Sequence, residues 1–306
     1  MRVFLMTLMM VLGTCIAHAD MQLHETWFPN PVLTNQDGEK LHFYDDIIKG
    51  KVVVLSFIYT KCKDVCPADT AQLLQVQDIL GDRVGKDIFF YSFSIDPDND
   101  TPAVLKDYMH MFGVKPGWQF LTGSKDDVKL IQKKLGLISA SAAQATLRDH
   151  NTSLMLGNEK TGQWIKRSPY DHPMILANLL RDTLMNFTGT HANLKPFSAA
   201  RESKSVPKGE IIFRSRCMSC HTIGEGDKLG PDLRGVVAAR PRDWLSRWIR
   251  EPNVVLEEGD PIALALKAKY RNVPMPNLGL NEQDASAIID YLKLMDAKAN
   301  AKTKHR

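Results

Sequence analysis

Residues 51–59, KVVVLSFIY, form a continuous apolar run rich in β-branched side chains. Such a run is typical of a central strand that is buried on both faces of a sheet. Two cysteines, Cys62 and Cys66, follow the run directly, and the next segment, DTAQLLQVQDIL, has apolar residues at helical spacing. The order strand, cysteine loop, helix predicts an α/β unit whose chemistry lies at the end of its central strand.

The alternation of strands and helices continues after this unit. A second strand, DIFFYSFSI, ends in the turn-rich DPDNDTP and leads into the helical AVLKDYMHMFG. Residues 151–167 are predicted to be a hairpin with a glycine-containing turn, and a helix near 173–186 closes the α/β domain, residues 20–187. The polar, small and proline-containing residues 188–203 are predicted to be a linker.

Residues 204–306 have a different pattern and predict a second, all-α domain. The segments KGEIIFRSR, RDWLSRWIRE and NEQDASAIIDYLKLM are helical, and no convincing strand appears. In the last segment Asn281 and Asp284 form a plausible helix cap, and the tail after Met295 is expected to fray. At 306 residues the chain is long for one domain, which agrees with this division.

The first twenty residues, MRVFLMTLMMVLGTCIAHAD, are typical of a secretory signal peptide. Arg2 supplies the basic start, residues 3–16 the apolar run, and cleavage is expected after Ala19. The sequence therefore predicts a signal peptide at residues 1–19 and export to the periplasm. An uncleaved signal anchor and lipid attachment at Cys15 are the alternatives, and each would associate the protein with the membrane. Once the signal is cleaved, no membrane-spanning segment is expected.

Composition limits the expected partners. Hydrophobic residues make up 44% of the chain, charged residues 24%, and the formal net charge is +4. These values are ordinary for globular proteins, and no basic stripe with interleaved aromatic residues is visible. Nucleic acid is therefore not expected as a partner.

Signal cleavage would leave two cysteine pairs, Cys62/Cys66 and Cys217/Cys220, far apart in the chain. This arrangement indicates two local sites in two domains rather than a disulfide framework. The second pair lies in FRSRCMSCHT, which contains C-x-x-C-H, the attachment signature of c-type haem. Two thiols one helical turn apart can bond the two vinyl groups on one porphyrin edge, which places His221 beneath the iron. A zinc site would need a second ligand pair at comparable spacing, and this domain contains no other cysteine.

Two further segments resemble class I cytochromes c. KLGPDLRGV resembles the Gly-Pro loop that packs against the proximal histidine, and NVPMPNLGL resembles the distal loop that supplies the sixth ligand. The resemblance implies one covalent haem c whose iron is bound by His221 and Met275. Ligation by methionine and histidine raises the iron potential and favours electron transfer, so a redox partner is implied.

The first pair allows three chemistries: a structural bridge, a redox dithiol, or a metal site. A bridge between residues so close would constrain the unfolded chain little. Spacing of i, i+4 at the start of a helix would let both thiolates of Cys62 and Cys66 grip one Cu(I) ion and leave room for a third ligand. His150 is the best candidate for that ligand, and His110, Met111 and His172 are weaker ones.

Four segments together resemble the Sco (SCO1/SenC) family: FIYTKCKDVCP, SIDPDNDTP, PGWQFLTG and RDHNTSLMLGNEKTGQW. These are thioredoxin-fold copper proteins that assist assembly of cytochrome c oxidase. The resemblance implies one copper ion bound by Cys62, Cys66 and His150, and a partner subunit of the oxidase that contains the binuclear copper site. Asp96 and Asp100 match the family's acidic loop and are interpreted as helix-capping and loop-shaping residues.

The predicted fold class is thus an α/β thioredoxin-like domain followed by an all-α cytochrome c domain. The leading functional prediction is an exported assembly factor that delivers copper to the oxidase, or reduces cysteines there, and has its own electron carrier. The haem could reduce Cu(II) to Cu(I), one electron at a time. One alternative is a thiol–disulfide oxidoreductase with Cys62 and Cys66 as catalytic residues. Another is a periplasmic electron carrier with a Sco-like docking module. A metallochaperone is favoured over a conventional enzyme.

Overall fold

The computed structural model describes four stretches of the chain, residues 27–62, 65–138, 153–185 and 206–304. The predicted signal peptide, the linker at 188–203 and the candidate ligand His150 lie outside the described residues. Within those four stretches, no helix combines the length and the apolar character needed to cross a membrane.

A seven-stranded mixed sheet organises the first three stretches. Its strands are β1 (Val32–Asn35), β2 (Lys40–His42), β3 (Val52–Ile58), β4 (Ile88–Ser94), β5 (Trp118–Thr122), β6 (Leu154–Asn158) and β7 (Gln163–Arg167). The strand order is β2-β1-β5-β4-β3-β6-β7, with β3, β4 and β5 parallel and the other pairings antiparallel. The helices around it are α1 (Cys66–Leu80), α2 (Pro102–Phe112), α3 (Lys125–Lys134) and α4 (Pro173–Asn178). Short helical segments span Phe43–Ile48, Gly81–Arg83, Glu159–Thr161 and Leu179–Leu184.

Strand β3 is the buried central strand that its sequence predicts. It pairs with β4 from Val52 opposite Ile88 to Ile58 opposite Ser94, and with β6 on its other edge. Alternate side chains enter the core on each side of the sheet, with Val53 in one core and Val54 in the other. Because helices cover both faces, the end of β3 is a protected position for the segment that follows.

The predicted hairpin is also present. Strands β6 and β7 pair antiparallel from Leu154 opposite Arg167 to Asn158 opposite Gln163. Gly162 has a φ of 68°, a conformation that glycine adopts without the steric penalty of a Cβ. The α/β thioredoxin-like domain is thereby confirmed.

The fourth stretch is helical, as predicted. Its helices are α5 (Lys208–Ile212), α6 (Val236–Ala239), α7 (Arg242–Arg250), α8 (Pro252–Glu257), α9 (Pro261–Lys269) and α10 (Glu282–Lys304), and a helical turn spans Phe213–Cys217. Asn281 and Asp284 cap α10 reciprocally, each side chain accepting the other's backbone N–H, at 3.0 and 3.1 Å. Helix α10 continues to Lys304, so the expected fraying after Met295 is corrected for these residues.

Helix α5 crosses α10 with its backbone in close contact. A Cβ added at Gly209 would lie 1.9 Å from the carbonyl oxygen of Ala287. Beside this crossing, the rings of Phe213 and Tyr291 pack with centroids 5.7 Å apart. The close approach requires glycine at position 209.

Gly209→Ala is expected to destabilise the helical domain by about 2 kcal/mol, because the added methyl forces the two helices apart. The expected loss of stability is opposite in sign to the effect of helix propensity, because alanine by itself is roughly 1 kcal/mol better than glycine in a helix. The measurement is thermal unfolding of the haem-loaded protein, in which Tm should fall by about 10 °C. Ile211→Ala on the exposed side of α5 is the control and should change Tm less. A Gly209→Ala protein with unchanged Tm would contradict the crossing.

Candidate functional sites

The segment after β3 places two cysteines beneath the protein surface. Cys62 closes a turn in which its N–H donates to the carbonyl of Tyr59 at 3.2 Å. Cys66 is the first residue of α1, and Pro67 follows it at a position where a missing N–H costs nothing. Cys62 therefore precedes the helix, which corrects the expectation that both sulfurs lie on it. Cys62 is 4% exposed and Cys66 0%.

The two cysteines are linked by a hydrogen bond at the helix start. The backbone N–H of Cys66 donates to Sγ of Cys62 at 3.4 Å, while Val65 at the N-cap supplies no side-chain cap. The sulfur of Cys62 thus occupies the position of a capping acceptor, where the helix dipole favours negative charge. The pKa of the Cys66 thiol is raised by its side-chain hydrogen bond with Cys62 and by its burial. A soft cation that replaces the thiol protons would neutralise the thiolates and so remove the cost of placing negative charge on buried sulfur.

The acidic loop that follows β4 holds the start of the cysteine segment. The buried carboxylate of Asp100 accepts from the backbone N–H of Thr60 at 3.1 Å and from the hydroxyl of Ser94 at 2.6 Å. Asp96 accepts from the side chain of Asn99 at 2.9 Å within the same loop. The loop-shaping interpretation of both acids agrees with these contacts. The cap of α2, however, is Thr101, whose hydroxyl accepts from the N–H of Val104.

Buried polar groups line α1 on the inner side of the cysteines. The hydroxyl of Tyr108 lies 3.0 Å from the hydroxyl of Thr70 and 3.5 Å from the carbonyl of Cys66. The Asp69 carboxyl is 5% exposed, and its Oδ1 has no hydrogen-bond partner among the described residues. Burial and, next, the nearby charge of Cys62 raise the pKa of Asp69 well above its usual range. Asp69 was not among the site residues predicted from the sequence, although it lies only three residues after Cys66.

The other candidate copper ligands are one histidine outside the described residues and three side chains on or beside helices α2 and α4. His150 lies outside the described residues. His110 is exposed near the end of α2, Met111 packs against the core, and His172 caps α4 by accepting the N–H of Met174 at 3.2 Å. In the parts of the chain that the structure describes, no cluster of three histidine, cysteine or acidic residues is placed to hold a metal ion.

The second cysteine pair is held in one hydrogen-bonded turn at the end of the helical segment Phe213–Cys217. The backbone N–H groups of Cys220 and His221 both donate to the carbonyl of Cys217, at 3.1 and 2.9 Å. Burial raises the pKa of Cys217 to about 12 and that of Cys220 to about 11. The motif is therefore held in the compact geometry that the C-x-x-C-H spacing predicts.

The imidazole of His221 is oriented by the loop that follows. Its Nδ1 lies 2.9 Å from the carbonyl oxygen of Pro231, and a donated N–H there leaves Nε2 as the metal-binding nitrogen. Burial lowers the pKa of His221, which favours the neutral form that ligates iron. A Cβ added at Gly230 would lie 2.6 Å from Cε1 of His221, so only glycine fits against the ring.

A cavity of about 330 Å³ opens above this histidine. Cys217, Cys220, His221 and Met275 line it together with apolar side chains, among them Trp244 and Trp248. The two indole rings stack with centroids 5.5 Å apart and form one wall. These tryptophans were not among the site residues predicted from the sequence, although their spacing of four residues in a helical pattern places them on one face of α7.

The donor set and the cavity fit a haem group. Two thiols, an oriented neutral imidazole and a thioether converge on an apolar space, which is the donor chemistry of a c-type haem site. The first pair likewise fits copper, because two adjacent sulfurs form a soft donor set.

Comparison with protein families gives two matches in the order of the two domains. A SCO1/SenC family model matches residues 22–195, and a Cytochrome c family model matches residues 206–296. The first match covers more than half of the chain, and the second covers most of the helical domain.

Individual relatives match parts of the α/β domain. The SCO1 protein homolog of Bacillus subtilis (strain 168) is 37% identical over 90 residues, 29% of this chain and 45% of the relative. The SCO2-like protein of Rickettsia felis is 33% identical over 108 residues, 35% of this chain and 50% of the relative. The chain thus spans about half the length of these curated relatives. The structure of Bradyrhizobium japonicum ScoI with copper bound has a TM-score of 0.41 and 23% identity, and covers 50% of this chain and 98% of that one.

Proposed function

Because the chain belongs to the SCO1/SenC family, we propose that it is an exported copper-binding assembly factor for cytochrome c oxidase. The family is associated with assembly of that oxidase, and the matched Cytochrome c domain implies haem. The proposed partner is the oxidase subunit that contains the binuclear copper site. The chain either supplies this site with copper or reduces its cysteines, and the N-terminal sequence supports the periplasm as the compartment.

The observation that carries the proposal is the cysteine pair at the end of the central strand. Cys62 and Cys66 are adjacent, buried and joined by an N–H to sulfur hydrogen bond. Asp100 accepts from the preceding Thr60 and from Ser94 of β4, so the sheet positions the start of the cysteine segment. Two sulfurs held in this way form a ready binding site for a soft ion.

Copper is the cargo of this site, and Cys62, Cys66 and His150 are its proposed ligands. Two thiolates select Cu(I) over harder ions, and a neutral imidazole completes a three-coordinate set. An acceptor site takes the ion by stepwise exchange, with one incoming ligand replacing one outgoing ligand at a time. Binding requires loss of the thiol protons, so copper uptake releases protons.

Cys217 and Cys220 are the proposed covalent attachment points of one haem, with His221 and Met275 as axial ligands. A haem c bound there supplies one-electron redox chemistry at a potential raised by the methionine. The carbonyl of Pro231 fixes the orientation of the His221 ring. Electron exchange with a redox partner, or with copper in the other domain, is part of the proposal.

Copper transfer tests the proposed function directly. Haem-loaded protein is charged with one equivalent of Cu(I) and mixed with a purified apo domain that contains the binuclear copper site. We expect copper to move to the acceptor, and we expect His150→Ala to retain far less copper before mixing. His172→Ala is the matched control, since His172 caps a helix, and it should behave as wild type. Failure of the wild-type protein to retain or transfer copper would contradict the proposal.

Thiol–disulfide reduction is the second candidate function, favoured by the close approach of the two cysteines, in which the backbone N–H of Cys66 donates to Sγ of Cys62. Both functions need Cys62 and Cys66, but only copper binding needs His150. A His150→Ala protein that reduces an oxidised partner at the wild-type rate while losing copper would assign reduction to the dithiol. Equal loss of both activities would contradict an independent reductase role.

A further inference from the structure

The helical domain contacts the α/β domain beside the cysteine pair. The guanidinium carbon of Arg216 lies 3.8 Å from the ring centroid of Tyr170, between β7 and α4. Lys228 donates to the side-chain oxygen of Gln75 on α1 at 3.2 Å. Arg216 directly precedes Cys217, so the contact involves the haem-attachment segment itself.

Apolar side chains extend this contact. Leu229 and Val273 of the helical domain pack against the core cluster that includes Cys62 and Cys66. Leu229 precedes the glycine that touches His221, and Val273 precedes Met275 by two positions. The loops on both sides of the haem cavity therefore face the domain with the dithiol.

A second basic contact lies near the Met275 loop. A Cβ added at Gly113, the C-cap of α2, would lie 3.1 Å from Nη1 of Arg271. Arg271 and Asn272 have φ values of 54° and 59°, an uncommon conformation for residues other than glycine. Cations near helix C-termini are favoured by the helix dipole, so this arginine adds an attractive contact.

The charge distribution identifies the central contact. Burial and the neighbouring Cys62 raise the pKa of Asp69, whereas the positive charge of Arg216 lowers it. The positive charge of Arg216 thus offsets part of the effect of burial on the Asp69 carboxyl. A guanidinium over an aromatic ring and near a buried acid is a favourable, partly desolvated arrangement.

We propose that the face of the α/β domain formed by Tyr170 and Gln75 is a docking surface for the haem-binding domain, anchored by Arg216. The docked form shields Cys62 and Cys66, and undocking admits a protein acceptor to the two sulfurs. This inference rests on the proposed function for the identity of the acceptor, but the docking itself does not. The low exposure of both cysteines, 4% and 0%, agrees with a closed state.

Thiol accessibility tests the docking surface. Haem-loaded, copper-free protein is treated with N-ethylmaleimide, and peptide mapping follows modification of Cys62 and Cys66. Arg216→Glu is expected to speed modification about tenfold, since a partly desolvated cation–π contact is worth roughly one order of magnitude in an equilibrium. Small-angle scattering should show a larger radius of gyration. Arg214→Glu is the matched control, because Arg214 pairs with Glu210 inside its own domain at 2.7 Å, and it should change neither quantity.

A second pair of variants tests the same contact by substitution in the α/β domain. Tyr170→Ala should reproduce the effect of Arg216→Glu, whereas Tyr170→Phe keeps the ring and should resemble wild type. This pair stays informative if substitution next to Cys217 impairs haem attachment. Unchanged modification rate and radius of gyration in both Arg216→Glu and Tyr170→Ala would overturn the proposal. Copper retention, measured on the same samples, separates this outcome from failure of the proposed function.

Discussion

Cys66→Ser is expected to lower the Cu(I) affinity of the haem-loaded protein by more than about 100-fold. Removing an outer-shell partner of a metal ligand typically costs roughly 10–100-fold, and removing a ligand itself costs more. Serine has nearly the shape of cysteine but offers a hard oxygen donor that Cu(I) does not favour. Competition against a chromophoric Cu(I) chelator measures the affinity directly.

The structure makes Cys66→Ser more informative than a surface substitution. Cys66 is fully buried, and its backbone N–H donates to Cys62, a contact that serine at this position retains. The fold and the haem absorption spectrum should therefore stay as in wild type while copper binding is lost. Asp98→Asn in the exposed part of the acidic loop is the control and should bind copper normally. A Cys66→Ser protein that binds copper with wild-type affinity would exclude this pair as the copper site.

Met275→Leu is expected to lower the reduction potential of the haem by on the order of 0.1 V or more. Axial ligands set haem potentials over a range of about 0.8 V, and methionine lies at the raising end. Leucine conserves the volume of methionine, so the substitution removes the sulfur donor at little cost in packing. Potentiometric titration of the haem-loaded protein gives the shift.

A second methionine provides the control for this substitution. Met295 packs against the core of the same domain, on the side of Phe213 and Tyr291. Met295→Leu should leave the potential close to that of wild type, because the same change in side chain occurs away from the cavity. If Met275→Leu and Met295→Leu give the same potential, Met275 is not the sixth ligand.

Much of the fold follows from local patterns. The run KVVVLSFIY is typical of a strand buried on both faces, and the structure places it inside the sheet as β3. The hairpin at β6 and β7 follows from alternation around a glycine, and α10 from its cap and apolar face. Each pattern involves residues a few positions apart, and this is the range over which side-chain direction repeats in a helix or a strand.

The sites were predictable only as far as their ligands are neighbours in the chain. Cys217, Cys220 and His221 lie within one turn, so their geometry follows from spacing. The proposed third copper ligand is different, because His150 is far from Cys66 in the chain and its assignment rests on resemblance. The prediction that the tail after Met295 frays was wrong, because charged and small residues weaken a helical sequence pattern without preventing a helix.

The sequence by itself determined two domains in order, the strand before the dithiol, and the attachment motif beside its histidine. The strand and the attachment motif are local features, and the order of the domains follows from the order of such motifs along the chain. Tertiary structure alone decided that Asp100 holds Thr60, that two tryptophans wall the cavity, and that Arg216 meets Tyr170. The physical reason is that such contacts join residues distant in the chain, and their partners become neighbours only when the sheet and helices have packed.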